Sequence, residues 1–213
     1  MFIASDRNLI DVRFPVQYVI RPNDTSGEHH DYRGYAGQVA GGVLRVGDDV
    51  VVLPSGARTA VAAVETYDGP LPRAEEGRSV VLRLADDVDV SRGDLLAPAD
   101  DPPVPSRAFE ATVCWLGEEP LAGRRYALKH TTRTTPALVD ATDVLDVTSG
   151  RLQRADGLRL NDIGRVGIRT AEPLALDDYL ENRRTGAFLL LDEASGTTVA
   201  AGMAGPLPWS AAR

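Results

Sequence analysis

The residue types best equipped for chemistry are few and scattered. His29, His30 and Asp31 offer ring nitrogens and a carboxylate of metal-ligand type. Adjacent residues on a strand point to opposite faces, so only a specially folded loop would aim all three at one ion, and a solvated loop is the plainer reading. Arg124, Arg125 and Arg133, with the hydroxyls of Thr131, Thr132, Thr134 and Thr135, form the best anion-binding set, weighed against a solvated strand face. Cys114 stands alone, which excludes a disulfide framework and a cysteine zinc site; in Ala111-Thr112-Val113-Cys114-Trp115-Leu116 it reads as a buried core residue. The acids Asp86, Asp87, Asp89, Asp100 and Asp101 lack the glycine and terminal glutamate of a calcium loop and read as turn and surface residues.

Longer motifs with a built-in mechanism are absent. There is no Gly-x-x-x-x-Gly-Lys-Ser/Thr phosphate loop, no Gly-x-Ser-x-Gly elbow, no His-Glu-x-x-His pair and no dinucleotide glycine fingerprint opening a helix. The most informative segment runs from Glu181 through Asn182, Arg183, Arg184, Thr185 and Gly186 into Ala187-Phe188-Leu189-Leu190-Leu191-Asp192. There a charged turn feeds an apolar strand, with Asn182 or Gly186 expected at positive φ and Arg183 expected to pair with a carboxylate.

The elements that position these residues follow a period of two. Val12, Phe14, Val16, Tyr18 and Ile20 alternate with a second set, the pattern of a half-buried strand. Gly37–Leu44, Asp49–Leu53, Thr59–Thr66 and Ser79–Leu84 follow, separated by turn signals such as Val46-Gly47-Asp48, Tyr67-Asp68-Gly69-Pro70 and Ser91-Arg92-Gly93-Asp94. Past the middle come Phe109–Leu116, Arg125–Thr132, Thr135–Asp146, Gly164–Thr170, Gly186–Asp192 and Thr197–Met203. One helical turn is expected, at Leu176–Asn182 with Asp177 as its cap. Many short strands at this spacing predict closed barrels, which leave no exposed edge.

Four prolines and two acids in 98–106 cannot join a sheet interior and mark an extended spacer. In a chain of 213 residues the spacer leaves two halves of ordinary small-domain size. The net charge of −8 argues against a broad nucleic-acid groove, since phosphate binding draws on clustered cations. Of the 23 basic residues only Lys129 is lysine, an excess of arginine that reads as coding bias. No apolar run reaches the roughly 20 residues of a membrane helix, and the first ten residues do not read as a signal peptide, so a cytoplasmic location is expected.

The segment Glu181–Asp192, continued by Ala194-Ser195-Gly196-Thr197-Thr198-Val199-Ala200-Ala201-Gly202-Met203, closely resembles the end of the third domain of the large, GTPase subunit of bacterial ATP sulfurylase (sulfate adenylyltransferase). Ile3-Ala4-Ser5-Asp6-Arg7-Asn8, Arg13–Val19, Asp31-Tyr32-Arg33-Gly34-Tyr35-Ala36-Gly37, Val46–Asp48 with Val51–Gly56, and Asp89–Asp94 agree in order. That family is related to elongation factor Tu: a GTPase domain followed by two β-barrels. The resemblance implies an all-β fold of two consecutive barrels of the elongation-factor-Tu domain II and III type. It divides the chain into 1–11, the exit from a missing GTPase domain; 12–97, a first barrel; 98–107, the linker; 108–205, a second barrel; and 206–213, a tail. The start at Met1-Phe2 is expected to mark a piece excised from a longer subunit.

In the family the small subunit joins sulfate to the adenylyl group of ATP, giving adenosine phosphosulfate and pyrophosphate, while GTP hydrolysis in the large subunit drives the step. The resemblance therefore implies no catalytic, GTP-binding or metal residue in this chain, with GTP and magnesium confined to the missing domain. The expected partners are the small catalytic subunit and the missing GTPase domain; no membrane and no nucleic acid are expected. Expected contact residues are Arg33 and Tyr35 in the first barrel and Asn182, Arg183 and Arg184 in the second. The rival readings are an RNA- or protein-binding barrel module of a translation-factor-like GTPase, a stand-alone regulatory adaptor, and an autonomous enzyme, the last without an acid–base or nucleophile constellation behind it.

Overall fold

In a computed structural model, which describes residues 8–22, 32–121 and 123–205, the alternating apolar residues become sixteen strands, with no helix among the described residues. The chain divides between Pro103 and Val104 into two units. The first holds β1 (Phe14–Ile20), β2 (Gly34–Gln38), β3 (Val43–Arg45), β4 (Asp49–Leu53), β5 (Ala57–Thr66), β6 (Gly69–Leu71), β7 (Arg73–Glu75), β8 (Ser79–Leu84) and β9 (Leu95–Pro98). Antiparallel pairing runs β4-β9-β1-β2-β8-β5, and β4 also pairs with β5, so six strands close into a barrel; β6 extends from β5, and β3 and β7 make a separate ribbon. Phe14, Val16, Tyr35, Val52, Val64 and Leu82 fill its interior. Closure pairs both edges of every ring strand, which removes the aggregation hazard of an open sheet.

Two sequence expectations fail in this unit for local reasons. The register between β1 and β2 shifts between Val16 and Tyr18, and one extra residue in a strand reverses which face each later side chain takes. Phe14 and Val16 are therefore buried as expected, whereas Tyr18 is 65% exposed and Val19 packs on the core instead. The expected strand Gly37–Leu44 is broken into β2 and β3. Gly42 breaks it: its φ is +72°, and a Cβ there would lie 2.5 Å from the Val12 backbone nitrogen, so only glycine fits both the conformation and the approach.

The second unit holds β10 (Ser106–Trp115), β11 (Arg125–His130), β12 (Arg133–Asp146), β13 (Arg151–Arg154), β14 (Ile163–Leu174), β15 (Ala187–Leu191) and β16 (Thr198–Ala204). The ring runs β11-β15-β16-β10-β14-β12 and closes through β11 and β12, with β13 hairpinned onto β12. Its core is more aromatic: Trp115 and Tyr126 meet edge to face at 5.6 Å, and Phe109 and Phe188 at 5.8 Å, geometries that add to plain area burial. The indole N–H of Trp115 donates to the Glu119 carbonyl at 2.8 Å, so the buried ring leaves no donor stranded. Cys114 does not join this core: Val113 and Trp115 point in, and Cys114 lies half-buried on the outer face. The expected helical turn at Leu176–Asn182 is a single turn that does not extend into a helix, with the Asn182 N–H donating to the Asp178 carbonyl at 3.0 Å; the Asp177 carboxylate accepts the Thr185 hydroxyl rather than capping it.

Candidate functional site

The five expected contact residues fall into one cluster on each unit. In the first, Tyr35 is 1% exposed because β2 turns it into the barrel, and its hydroxyl donates to the Val88 carbonyl at 3.3 Å. Burial pushes the pKa of that phenol up. Arg33, also on the approach to β2, lays its guanidinium 5.6 Å from the Tyr35 ring centroid. It pairs with Asp87 and reaches Asp89 at 3.7 Å. Arg33 and Tyr35 thus hold the 86–90 loop against the barrel. Tyr32 beside them donates to Glu65 at 2.8 Å, and burial together with that carboxylate pushes its pKa up to about 12.

In the second unit the turn before β15 is built around Asn182, which is 3% exposed. Its Oδ1 accepts the backbone N–H of Arg184 at 3.0 Å and of Thr185 at 3.2 Å. Neither Asn182 nor Gly186 takes positive φ. Gly186 is needed for a different reason: a Cβ there would lie 2.6 Å from the Tyr179 nitrogen and 2.8 Å from the Asn182 oxygen. Thr185 is fully buried, and its hydroxyl donates to Asp177 at 2.5 Å. Its carbonyl accepts from His130 Nε2 at 2.8 Å, which requires a proton on Nε2 because a carbonyl cannot donate. Burial lowers the pKa of His130, against the raising effects of the Thr185 hydrogen bond and Asp177. Arg183 and Arg184, by contrast, are exposed on the outside of this fixed turn.

Asn182 and Tyr35 are thus interior braces in this chain, while Arg183 and Arg184 are presented to the surroundings. Sequence reading missed His130, Thr185 and Asp177 as the members that tie β11 to this turn. The contact spans 55 positions of sequence, beyond any local pattern. A usable signal was there: Tyr126, Leu128 and His130 share one face of β11, so the histidine had to be buried beside two core residues.

The anion-binding set is not brought together. Arg124 and Arg125 lie at the start of β11 and Arg133 beyond its end. Each already meets acids: Arg124 meets Asp192 at 3.1 Å and Glu119 at 3.6 Å, Arg125 meets Glu193 at 2.8 Å, and Arg133 meets Glu172 at 3.0 Å. His29, His30 and Asp31, and the stretch Ile3 to Arg7, lie outside the described residues. Among the described residues no group of three or more histidine, cysteine or acid side chains could hold a metal. No helix there is long and apolar enough to cross a membrane. The one hydroxyl set beside a carboxylate here, Thr185 against Asp177, is fully buried and out of reach of a substrate; what the arrangement can do is present a fixed charged turn.

Residues 108–204 match the family model described as GTP-eEF1A C-terminal domain-like. The chain is 50% identical over 207 residues to a bifunctional enzyme CysN/CysC of Mycobacterium tuberculosis, covering 95% of this chain and 33% of that protein. It is 41% identical over 212 residues to sulfate adenylyltransferase subunit 1 of Bacteroides thetaiotaomicron, covering 94% of this chain and 42% of that one. The same subunit of Teredinibacter turnerae is 41% identical over 204 residues. Among solved structures, sup35 complexed with GDP superimposes with a TM-score of 0.79 at 20% identity, over 92% of this chain and 47% of that chain; the likeness establishes the shared two-barrel fold. The chain therefore spans about a third of one of these curated relatives and 42% of another, and along nearly its whole length it is homologous to a part of sulfate adenylyltransferase subunit 1.

Proposed function

We propose that the two barrels serve as the contact-making region of a GTP-hydrolysing subunit of sulfate adenylyltransferase. In the intact complex, GTP hydrolysis drives the joining of sulfate to the adenylyl group of ATP, giving adenosine 5′-phosphosulfate and pyrophosphate. The observation that carries this reading is identity of 41–50% across 94–95% of the chain to proteins of that name. GTP and its magnesium belong to a domain outside this chain, since a phosphate loop of the Gly-x-x-x-x-Gly-Lys-Ser/Thr kind is missing from the sequence. The chemistry of adenylyl transfer belongs to a companion subunit, and the complex works in the cytoplasm.

Barrels of this kind transmit a nucleotide-dependent change only where their contacts differ between nucleotide states. Arg183 and Arg184 suit that role because the turn beneath them is held by Asn182, Thr185 and His130, so a force on the arginines moves the barrel as a body. Alanine at both positions in a full-length large subunit, assayed with its companion subunit, should cut GTP-stimulated turnover by about fivefold or more, the low end of ordinary coupling energies, while thermal stability stays level. Unchanged stimulation with unchanged stability removes the role. A translation-factor reading makes the opposite prediction, namely tRNA binding that weakens steeply with salt, and the net charge of −8 speaks against it.

A further inference from the structure

The outer face of an antiparallel barrel strand is polar by default, and β15 and β16 break the rule. Ala187, Leu189 and Leu191 point out of β15, and Ala201 and Met203 out of β16; neither strand puts a charge outside. Pairing register spreads the apolar band sideways. Leu189 stands opposite Ala201, which stands opposite Cys114. Leu191 stands opposite Ala127, which faces Pro136. Leu189 is 38% exposed, and Leu138, two positions beyond Pro136 on β12, is 45% exposed. A contiguous band of this kind is a recurrent mark of an interaction site, whereas single exposed leucines are not.

Charges border the band: Arg125 and Arg169 flank Leu138 and are paired with Glu193 and Asp140, and one more cation stands at its edge. Lys129, the only lysine of the chain, is exposed on β11 between Leu189 and Thr134. The arginines nearest it in sequence are engaged, Arg125 with Glu193 and Arg133 with Glu172, but Lys129 makes no ion pair among the described residues. An ammonium in an apolar and hydroxyl setting, on a chain of net charge −8, is arranged to meet a carboxylate that the described residues do not supply.

We infer that the outer face of β15 and β16, with Lys129 at its edge, is a docking surface for the companion subunit, a polypeptide that presents an apolar ridge and a carboxylate over Lys129. The inference rests on the family reading above, in which relatives carry the name subunit 1. A second copy of this chain fits less well. A two-fold contact through this face would set Lys129 against apolar side chains or against its own counterpart, with no carboxylate inside the band. An RNA fits less well still, because the arginines beside the band, Arg125 and Arg169, already meet acids and one remaining cation gives little phosphate attraction.

The test uses a full-length large subunit carrying these barrels, titrated with its companion subunit by calorimetry. Leu189→Asp and, separately, Ala201→Arg should each weaken association by at least about tenfold, the scale of a central interface residue. Lys129→Glu should weaken it too and reduce its dependence on salt. Val147→Asp, at a hairpin tip 77% exposed and away from the band, should leave it unchanged. All these positions are on the surface, so thermal transitions matching the wild type certify folding. Wild-type affinity in Leu189→Asp and Ala201→Arg overturns the inference. So does a wild-type self-association that Leu189→Asp abolishes while companion binding persists, since the face then belongs to a second copy. Failure of the wild-type subunit to bind its companion at all overturns the family reading and this surface together.

Discussion

Replacing Asn182 with alanine separates an interior brace from a contact residue. The amide oxygen accepts two backbone N–H groups, at 3.0 Å from Arg184 and 3.2 Å from Thr185. Arg184 is exposed and its N–H can turn to water; Thr185 is 0% exposed and its N–H cannot. The variant therefore strands one buried donor, which costs about 1–3 kcal/mol. The Arg184 bond exchanges with solvent at little net loss, so about 2 kcal/mol is expected in all, roughly 10 °C in Tm for a unit near 100 residues. Both tryptophans, Trp115 and Trp209, follow the division at Val104, so tryptophan emission during urea unfolding reports the second unit without interference from the first. Asn182→Asp keeps the acceptor oxygen and should lose less than the alanine variant. A midpoint for Asn182→Ala within about 0.5 kcal/mol of wild type, the usual scatter of surface substitutions, would refute the argument.

The buried His130 gives a pH signature. Its native pKa lies below the ordinary value, so below an unfolded pKa of about 6.5 the unfolded chain binds a proton that the native barrel refuses. Stability is then complete above that pH and falls with acidification toward the depressed native pKa, by at most about 1.4 kcal/mol per pH unit from this one group. His130→Gln should flatten that part of a profile measured between pH 7 and 5 by tryptophan emission, and identical slopes for the two proteins would sink the assignment. In the first unit, Tyr35→Ala should cost about 3–5 kcal/mol as a large aromatic deletion, whereas Tyr35→Phe should cost less than about 1 kcal/mol because its hydrogen bond to Val88, at 3.3 Å, is long. Circular dichroism at increasing urea checks both, and equal losses would mean the hydroxyl, not the ring, carries the site.

What was legible in the sequence is an apolar run bounded on both sides by clear turn residues. Asp49–Leu53 and Ser79–Leu84 are strands with the ends read from sequence, because short, largely apolar runs lie there between clear turns. Legibility fails wherever tertiary structure changes the phase. The register shift after Val16 is decided by how β1 meets β2, and no residue in β1 announces it. β9 was missed because Leu95-Leu96-Ala97-Pro98 is uniformly apolar and ends in proline; it is buried between β1 and β4, and full burial erases alternation. At the site, Asn182 and Tyr35 were picked out as conspicuous residues, yet the motif alone could not separate a side chain that meets a partner from one that holds a turn. Burial makes that distinction, and it appears only once β11 lies beside the 177–186 segment.

The excess of arginine, which sequence alone assigns to coding bias, takes on a structural use in the fold. Arg92 donates to the Gln17 carbonyl at 2.7 Å and Arg45 to the Val43 carbonyl at 3.2 Å, while Arg33 pairs with Asp87 and Arg169 reaches Asp140 at 3.5 Å. A planar guanidinium with several fixed donors serves such staples across a barrel surface better than an ammonium can, and a staple engaged within its own chain has fewer donors left to offer a partner. Lys129 is the exception in both chemistry and setting: a compact charge on a flexible stem, bordered by Leu189, Ala127 and Thr134. A stem of that kind can lie along apolar surface while its head waits for a carboxylate. Docking at this face makes the position distinguish the two cations. Lys129→Arg retains the charge but places a wider, flatter head beside Leu189, so it should bind the companion subunit less tightly than wild type and more tightly than Lys129→Glu. A face maintained by packing within the chain alone would show no such order in binding.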